Sequence, residues 1–159
     1  MNINDTGFIF IKLNNSAIYT KYFETIRKLI DANPLNQIIV FNSYNEKINT
    51  NSIPILHLSH AKFFYGDLFL FDLSSVIITK SFTNINKRYL YVNNAPWIDA
   101  PQVNYQTWEN IYNADNLEFI AQNKTLYDLY SVCWKKPIGI SENFNYTEIA
   151  GLIEKENKK

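Results

Sequence analysis

Seven short apolar runs, separated by stretches of helical periodicity, constrain this chain more than any other feature. Gly7 to Leu13 (GFIFIKL), Gln37 to Phe41 (QIIVF), Ile53 to Leu58 (IPILHL) and Asp67 to Phe71 (DLFLF) read as the first four strands. Arg88 to Val92 (RYLYV), Leu117 to Ala121 (LEFIA) and Ile138 to Ser141 read as the last three. QIIVF shows the pattern most clearly: continuous apolar character suits a central parallel strand covered on both faces. Helical spacing is read over Ser16 to Ala32, Leu73 to Phe82, Asn104 to Tyr112, Thr125 to Trp134 and Tyr146 to Glu156. In the first of these, Ile18, Phe23, Ile26, Leu29 and Ile30 recur at helical spacing, and Asn15 or Ser16 can cap the first turn. Asn33-Pro34 stops it, because the residue before proline is pushed out of the α region.

Strands separated by helices make βαβ units, and right-handed crossovers stack the helices on both faces of the sheet. The expected fold is α/β: one three-layer α/β/α Rossmann-like domain over residues 1–159, with a mainly parallel sheet of six to seven strands. A chain of 159 residues fits one such domain. It buries roughly 68–70% of its unfolded surface without a disulfide or metal staple.

Composition narrows the function classes. The single cysteine, Cys133, forms no internal disulfide, and with only His57 and His60 beside it no Cys₄ or Cys₂His₂ zinc site can be assembled. The first residues, MNINDTGFIF, carry no basic segment followed by a long apolar one, so no signal peptide is read. Apolar runs of about seven residues fall far short of the ~20 that span a bilayer. A soluble cytoplasmic chain is expected. Fifteen basic and fifteen acidic residues argue against a charge-driven nucleic-acid binder. The 22 asparagines are dispersed, as turn chemistry and A/T-rich codons produce them, and form no tract.

In a sheet of this kind ligands bind outside the carboxyl ends of the strands, at the point where strand order reverses. Asn14 after the first run, His60 after the third, Asp72 after the fourth, Asn93 and Asn94 after the fifth, and Glu142 after the last are therefore candidates. After the first run the chain reads Lys12-Leu13-Asn14-Asn15-Ser16, with neither G-x-G-x-x-G nor a P-loop. NAD, FAD and P-loop nucleotides are thereby disfavoured, and no cofactor is expected. His60, with Ser59 and Lys62, suits a base or anion contact, against the plainer reading of a turn residue. His57 reads as a hydrogen-bonded strand histidine, and Asp67 as a turn residue after Gly66. Asp72, ahead of Ser74-Ser75, suits either a helix cap or a ligand carboxylate. Trp97, in the loop Asn93-Asn94-Ala95-Pro96-Trp97-Ile98-Asp99, is either a stacking platform for a sugar or base or an anchor folded over the sheet edge. Cys133 and Trp134, in one helix with Leu126, Leu129 and Tyr130, read as core rather than as a reactive thiol.

Four stretches together carry a family likeness. They are Lys87-Arg88-Tyr89-Leu90-Tyr91-Val92 with Asn93-Asn94-Ala95-Pro96-Trp97, the helix bearing Trp108, Phe119-Ile120-Ala121-Gln122-Asn123, and Trp134-Lys135-Lys136-Pro137 ahead of Ile138-Gly139-Ile140. In this order they resemble the N-terminal, acceptor-binding half of a GT-B glycosyltransferase, closest in flavour to phage DNA glucosyltransferases and related phage proteins. The likeness covers Ile38 to Ile149 as an order of elements. It implies a nucleotide sugar, or a sugar or nucleic-acid acceptor, as ligand, and it assigns no catalytic residue. Such enzymes hold most donor contacts in a second half, so full sugar transfer is not expected from this half alone. The alternative expectation is a non-catalytic interaction module acting as a homodimer or beside a second subunit.

Overall fold

The computed structural model describes residues 4–11, 17–43, 53–100, 102–156 and 158. The strands are β1 (Thr6–Phe10), β2 (Ile38–Asn42), β3 (Ile55–His57), β4 (Gly66–Leu70), β5 (Ile85–Val92), β6 (Leu117–Ala121) and β7 (Gly139–Ile140). The helices are α1 (Ala17–Ala32), α2 (Leu73–Thr79), α3 (Pro96–Asp99), α4 (Tyr105–Tyr112), α5 (Lys124–Cys133) and α6 (Tyr146–Glu156). One sheet takes all seven strands in the order β3-β2-β1-β4-β5-β6-β7, and every pairing is parallel. The chain is therefore α/β and Rossmann-like, as its alternation of periods implies.

The pleat divides the core. Phe8, Phe10, Phe69, Tyr89, Tyr91 and Ile120 point to one face, where α1 and α6 bring Tyr22, Phe23, Ile26, Ile149 and Ile153. Ile9, Leu68, Leu70, Leu90, Val92 and Phe119 point to the other, beneath α2, α4 and α5. The split follows from handedness: the sheet grows one way from β1 to β2 and the other way from β4 to β5, so right-handed crossovers land on opposite faces. Aligned register stacks rings across strands. Phe8 lies 5.1 Å from Phe69, and Phe69 lies 5.0 Å from Tyr89, so a ladder of three rings crosses the sheet centre. Such pairs add about 0.5–1.5 kcal/mol each beyond the area they bury.

Several boundaries move. The third strand is only Ile55–His57, and Leu58–Phe63 forms a 3-10 helix. His57 ends the strand itself: its Nδ1 accepts the Ser59 N–H at 3.3 Å and meets Ser59 Oγ at 2.8 Å. The second helix stops at Thr79, three residues early, because Arg88 Nη2 donates to the carbonyls of Thr79 (2.7 Å) and Phe82 (2.9 Å). Asn123 caps α5 through the Leu126 N–H, and Asn104 caps α4 through the Thr107 N–H. Two further asparagines, Asn116 and Asn143, occupy positive-φ positions. Turn and cap chemistry thus accounts for part of the asparagine excess.

Asp67 corrects one sequence reading. Of its two readings, opening the fourth strand and turning after Gly66, the first holds: it lies within β4, 2% exposed. Its Oδ2 accepts from Asn4 Nδ2 at 3.1 Å, while its Oδ1 is buried without a hydrogen-bond partner. Burial raises its pKa above the ordinary value, against smaller opposing effects of Asn4 and Lys87. A carboxyl with a raised folded pKa contributes stability below the unfolded value and loses it as pH rises through the folded one. Asp67→Asn keeps an acceptor for Asn4 and removes the buried charge. We expect the variant to be the more stable chain at pH 7, with the difference vanishing towards pH 3. Urea melts of both chains across that range check it, and a variant equally destabilised at every pH would contradict it.

Candidate functional site

Strand order reverses between β1 and β4, so their carboxyl ends diverge into different connections. Ile11 leaves β1 there and Phe71-Asp72 leave β4, with Asn93-Asn94 following from β5. Aromatic packing fills the space beneath. Phe10 stacks on Phe71 at 4.4 Å, Tyr22 of α1 stacks on Phe71 at 4.7 Å, and Phe144 meets Phe71 edge-on at 5.0 Å. In a dinucleotide-binding fold a glycine turn would hold pyrophosphate above this place; here the sequence after β1 has no glycine, and the described residues beneath are packed rings.

A polar rim surmounts those rings. Asp72 caps α2: its Oδ1 accepts the Ser75 N–H at 2.7 Å, and its carboxylate also takes backbone bonds from Ile11 and Ser74. It thus ties the end of β1 to the start of α2. Burial raises its pKa, and these bonds oppose the rise. Tyr22 hydrogen-bonds the Asn93 side chain, although burial holds its hydroxyl well above the ordinary phenol range. Burial, and then the nearby Asp72 carboxylate, raise the pKa of Tyr19. All three tyrosine and aspartate groups therefore favour their uncharged forms more than free side chains do. Tyr22 is buried and holds Asn93 from below, while Tyr19, Asp72 and the exposed Asn93 offer donors and acceptors to hydroxyl or amide groups. A cavity of about 20 Å³ between Phe71, Asp72, Asn93, Asn94, Tyr112 and Tyr130 is close to the size of one water.

The structure brings Asp72, Asn93 and Asn94 to this one place. Of the other candidates, His60 stands apart from it, whereas Trp97 and Glu142 lie beside residues that pack beneath it. His60 is an exposed residue of the 3-10 helix after edge strand β3. Strand spacing of ~4.8 Å puts β3 roughly 14 Å from β4. Glu142 is exposed in the 3-10 turn Glu142–Phe144 after β7, which returns towards the sheet centre: Phe144 packs on Phe71, and the Glu142 charge acts on Tyr91. Trp97 lies on α3, a helix opened by Pro96 at its first position. Its ring is half-buried and meets Tyr130 (4.8 Å), Trp134 (5.4 Å) and Tyr112 (5.5 Å) edge-on. Asn14 falls outside the described residues, as do the expected caps Asn15 and Ser16.

Tyr19, Tyr22 and Phe71 are site residues that the sequence reading passed over. Their signal was present: Tyr19 and Tyr22 continue the helical spacing through Phe23 and Ile26, and tyrosines on such a stripe bring polar tips to its edge. Among the described residues, no three His, Cys, Asp or Glu side chains gather to hold a metal ion. No described helix is long and apolar enough to cross a membrane. No family model, curated protein or solved structure matches the chain.

Proposed function

We propose that this chain is a glycosyltransferase-like Rossmann domain that binds a nucleotide-like ligand or sugar acceptor at the carboxyl ends of its strands. The observation that carries the reading is the polar rim of Asp72, Tyr19 and Asn93, with Tyr22 buried beneath it, at the point where strand order reverses. Neutral and anionic oxygens beside an amide suit sugar or ribose hydroxyls, and the exposed Asn94 extends the row of amides. The missing glycine turn favours contacts through hydroxyls over a buried pyrophosphate.

The test is a thermal-shift series with UDP-glucose, UDP and a short single-stranded DNA. A ligand at a hundredfold excess over its Kd adds about 2.7 kcal/mol of stability. UDP-glucose is expected to raise Tm in the native chain, less so in Asn93→Ala and in Asp72→Asn, which retains a capping side chain. No shift with any probe, together with a dimer by light scattering, would overturn the reading in favour of the interaction module. One observation favours that second reading: Leu56, Phe63 and Tyr65 are 43%, 66% and 70% exposed within one stretch beginning on edge strand β3.

A further inference from the structure

A groove of about 900 Å³ opens between α2 and α4 at the amino ends of β5 and β6, the end of the sheet opposite the rim described above. It is lined by Val76 and Ile77 of α2, a helix of seven residues, and by Thr107, Asn110 and Ile111 of α4. Ile77 and Ile111 give it apolar walls, and Lys80, Arg88 and Asn116 a polar end, with Asp115 as its one carboxylate.

Arg88 is the unusual member. It is 6% exposed, yet every hydrogen-bond partner that it has is uncharged. Nη1 donates to Asn116 Oδ1, and Nη2 to the carbonyls of Thr79 and Phe82. Nε is buried without a partner. The ion pairs of the described residues join Lys87 to Glu156, Lys124 to Asp128 and Lys135 to Glu118, and none includes Arg88. Burial accordingly lowers its pKa. Arginine is almost never buried without an anionic partner, and a guanidinium fork matches carboxylate and phosphate. Lys80, exposed at the groove, makes only a 3.4 Å contact to the Asn110 carbonyl and can turn inward.

We propose that this groove is a second binding site, for a small organic oxyanion. Its carboxylate or phosphate lies towards Arg88 and Lys80, and its apolar body rests on Ile77 and Ile111. The site is independent of the one at the strand carboxyl ends.

The probe is phenyl phosphate, titrated by calorimetry against the full chain, with benzoate and inorganic phosphate alongside. Saturable one-site binding is expected for phenyl phosphate or benzoate, weaker for inorganic phosphate, and falling with salt. Lys80→Glu reverses a charge at the groove and Ile77→Glu spoils the apolar wall; both side chains are exposed, so the fold is kept. Each is expected to weaken binding at least about tenfold, whereas Asn93→Ala leaves it unchanged. Arg88→Lys keeps the charge and loses the fork; should it unfold, the two exposed variants decide. Absence of saturable binding, indifference to both variants, or an equal loss in Asn93→Ala would overturn the proposal.

Discussion

Phe144→Ala is expected to cost about 3–5 kcal/mol, roughly 6–20 °C in Tm for a chain of this size. Phe144 is fully buried, and its ring lies within 5.0–5.7 Å of Phe71, Tyr91, Tyr22 and Phe69. It also meets Phe8 at 6.3 Å. One side chain from the turn after β7 thus closes the core between α1 and the strands. Its backbone is held as well: Thr25 Oγ1 donates to its carbonyl at 2.6 Å, and its N–H donates to the Tyr91 hydroxyl at 3.2 Å. Alanine keeps those bonds and the unfavourable φ of 55°, but removes the ring. Urea denaturation measures the loss, and Phe144→Leu should recover part of it. A loss below about 1 kcal/mol would mean that the surrounding rings collapse into the space, contrary to the packing described.

Gly66→Ala is expected to be comparably severe, about 3–5 kcal/mol, for a backbone reason. Gly66 has φ of 143°, a region that side chains rarely adopt, and an added Cβ would lie 2.1 Å from the Asp5 carbonyl oxygen. That oxygen is committed, because it accepts the Asp67 N–H at 2.9 Å where β1 and β4 begin to pair. Relief therefore requires breaking the bridge that sets the register of the sheet centre. Gly151 is the internal control. It lies within α6 with open space around it, so Gly151→Ala should stabilise by about 0.5–1 kcal/mol. Thermal melts of the two variants should move in opposite directions; a shift of the same sign in both would refute the steric account.

The sequence made some elements plain and hid others, and particular residues show why. LEFIA is β6 with no change of boundary, and Tyr146 to Glu156 is α6. In both, local period and local burial coincide. Asp67 stayed ambiguous between turn and strand because glycine followed by aspartate reads as a turn, whereas the carbonyl that makes it a strand residue comes from Asp5, sixty-two positions earlier. The end of α2 was hidden for the same reason, since the cation that takes the Thr79 carbonyl at its end, and the Phe82 carbonyl beyond it, sits on β5. At the candidate site, the carboxyl-end rule named Asp72, Asn93 and Asn94 among others. Only strand order shows that these three gather while His60 goes to the β3 edge, and no periodicity encodes strand order. Arg88 left one trace, a charged residue opening the apolar run RYLYV.

The central place of β1 has a consequence for how the chain is made. Its partner on one side, β2, follows after a single helix, but its partner on the other side, β4, ends sixty residues after β1 itself does. At ~5–20 residues per second, ribosomal synthesis leaves that second flank of β1 unpaired for roughly 3–12 s. During this interval the nascent chain presents Gly7, Phe8 and Ile9 as an open template for a foreign strand. Protection by a chaperone matters most in that window, before residues 66–70 have emerged.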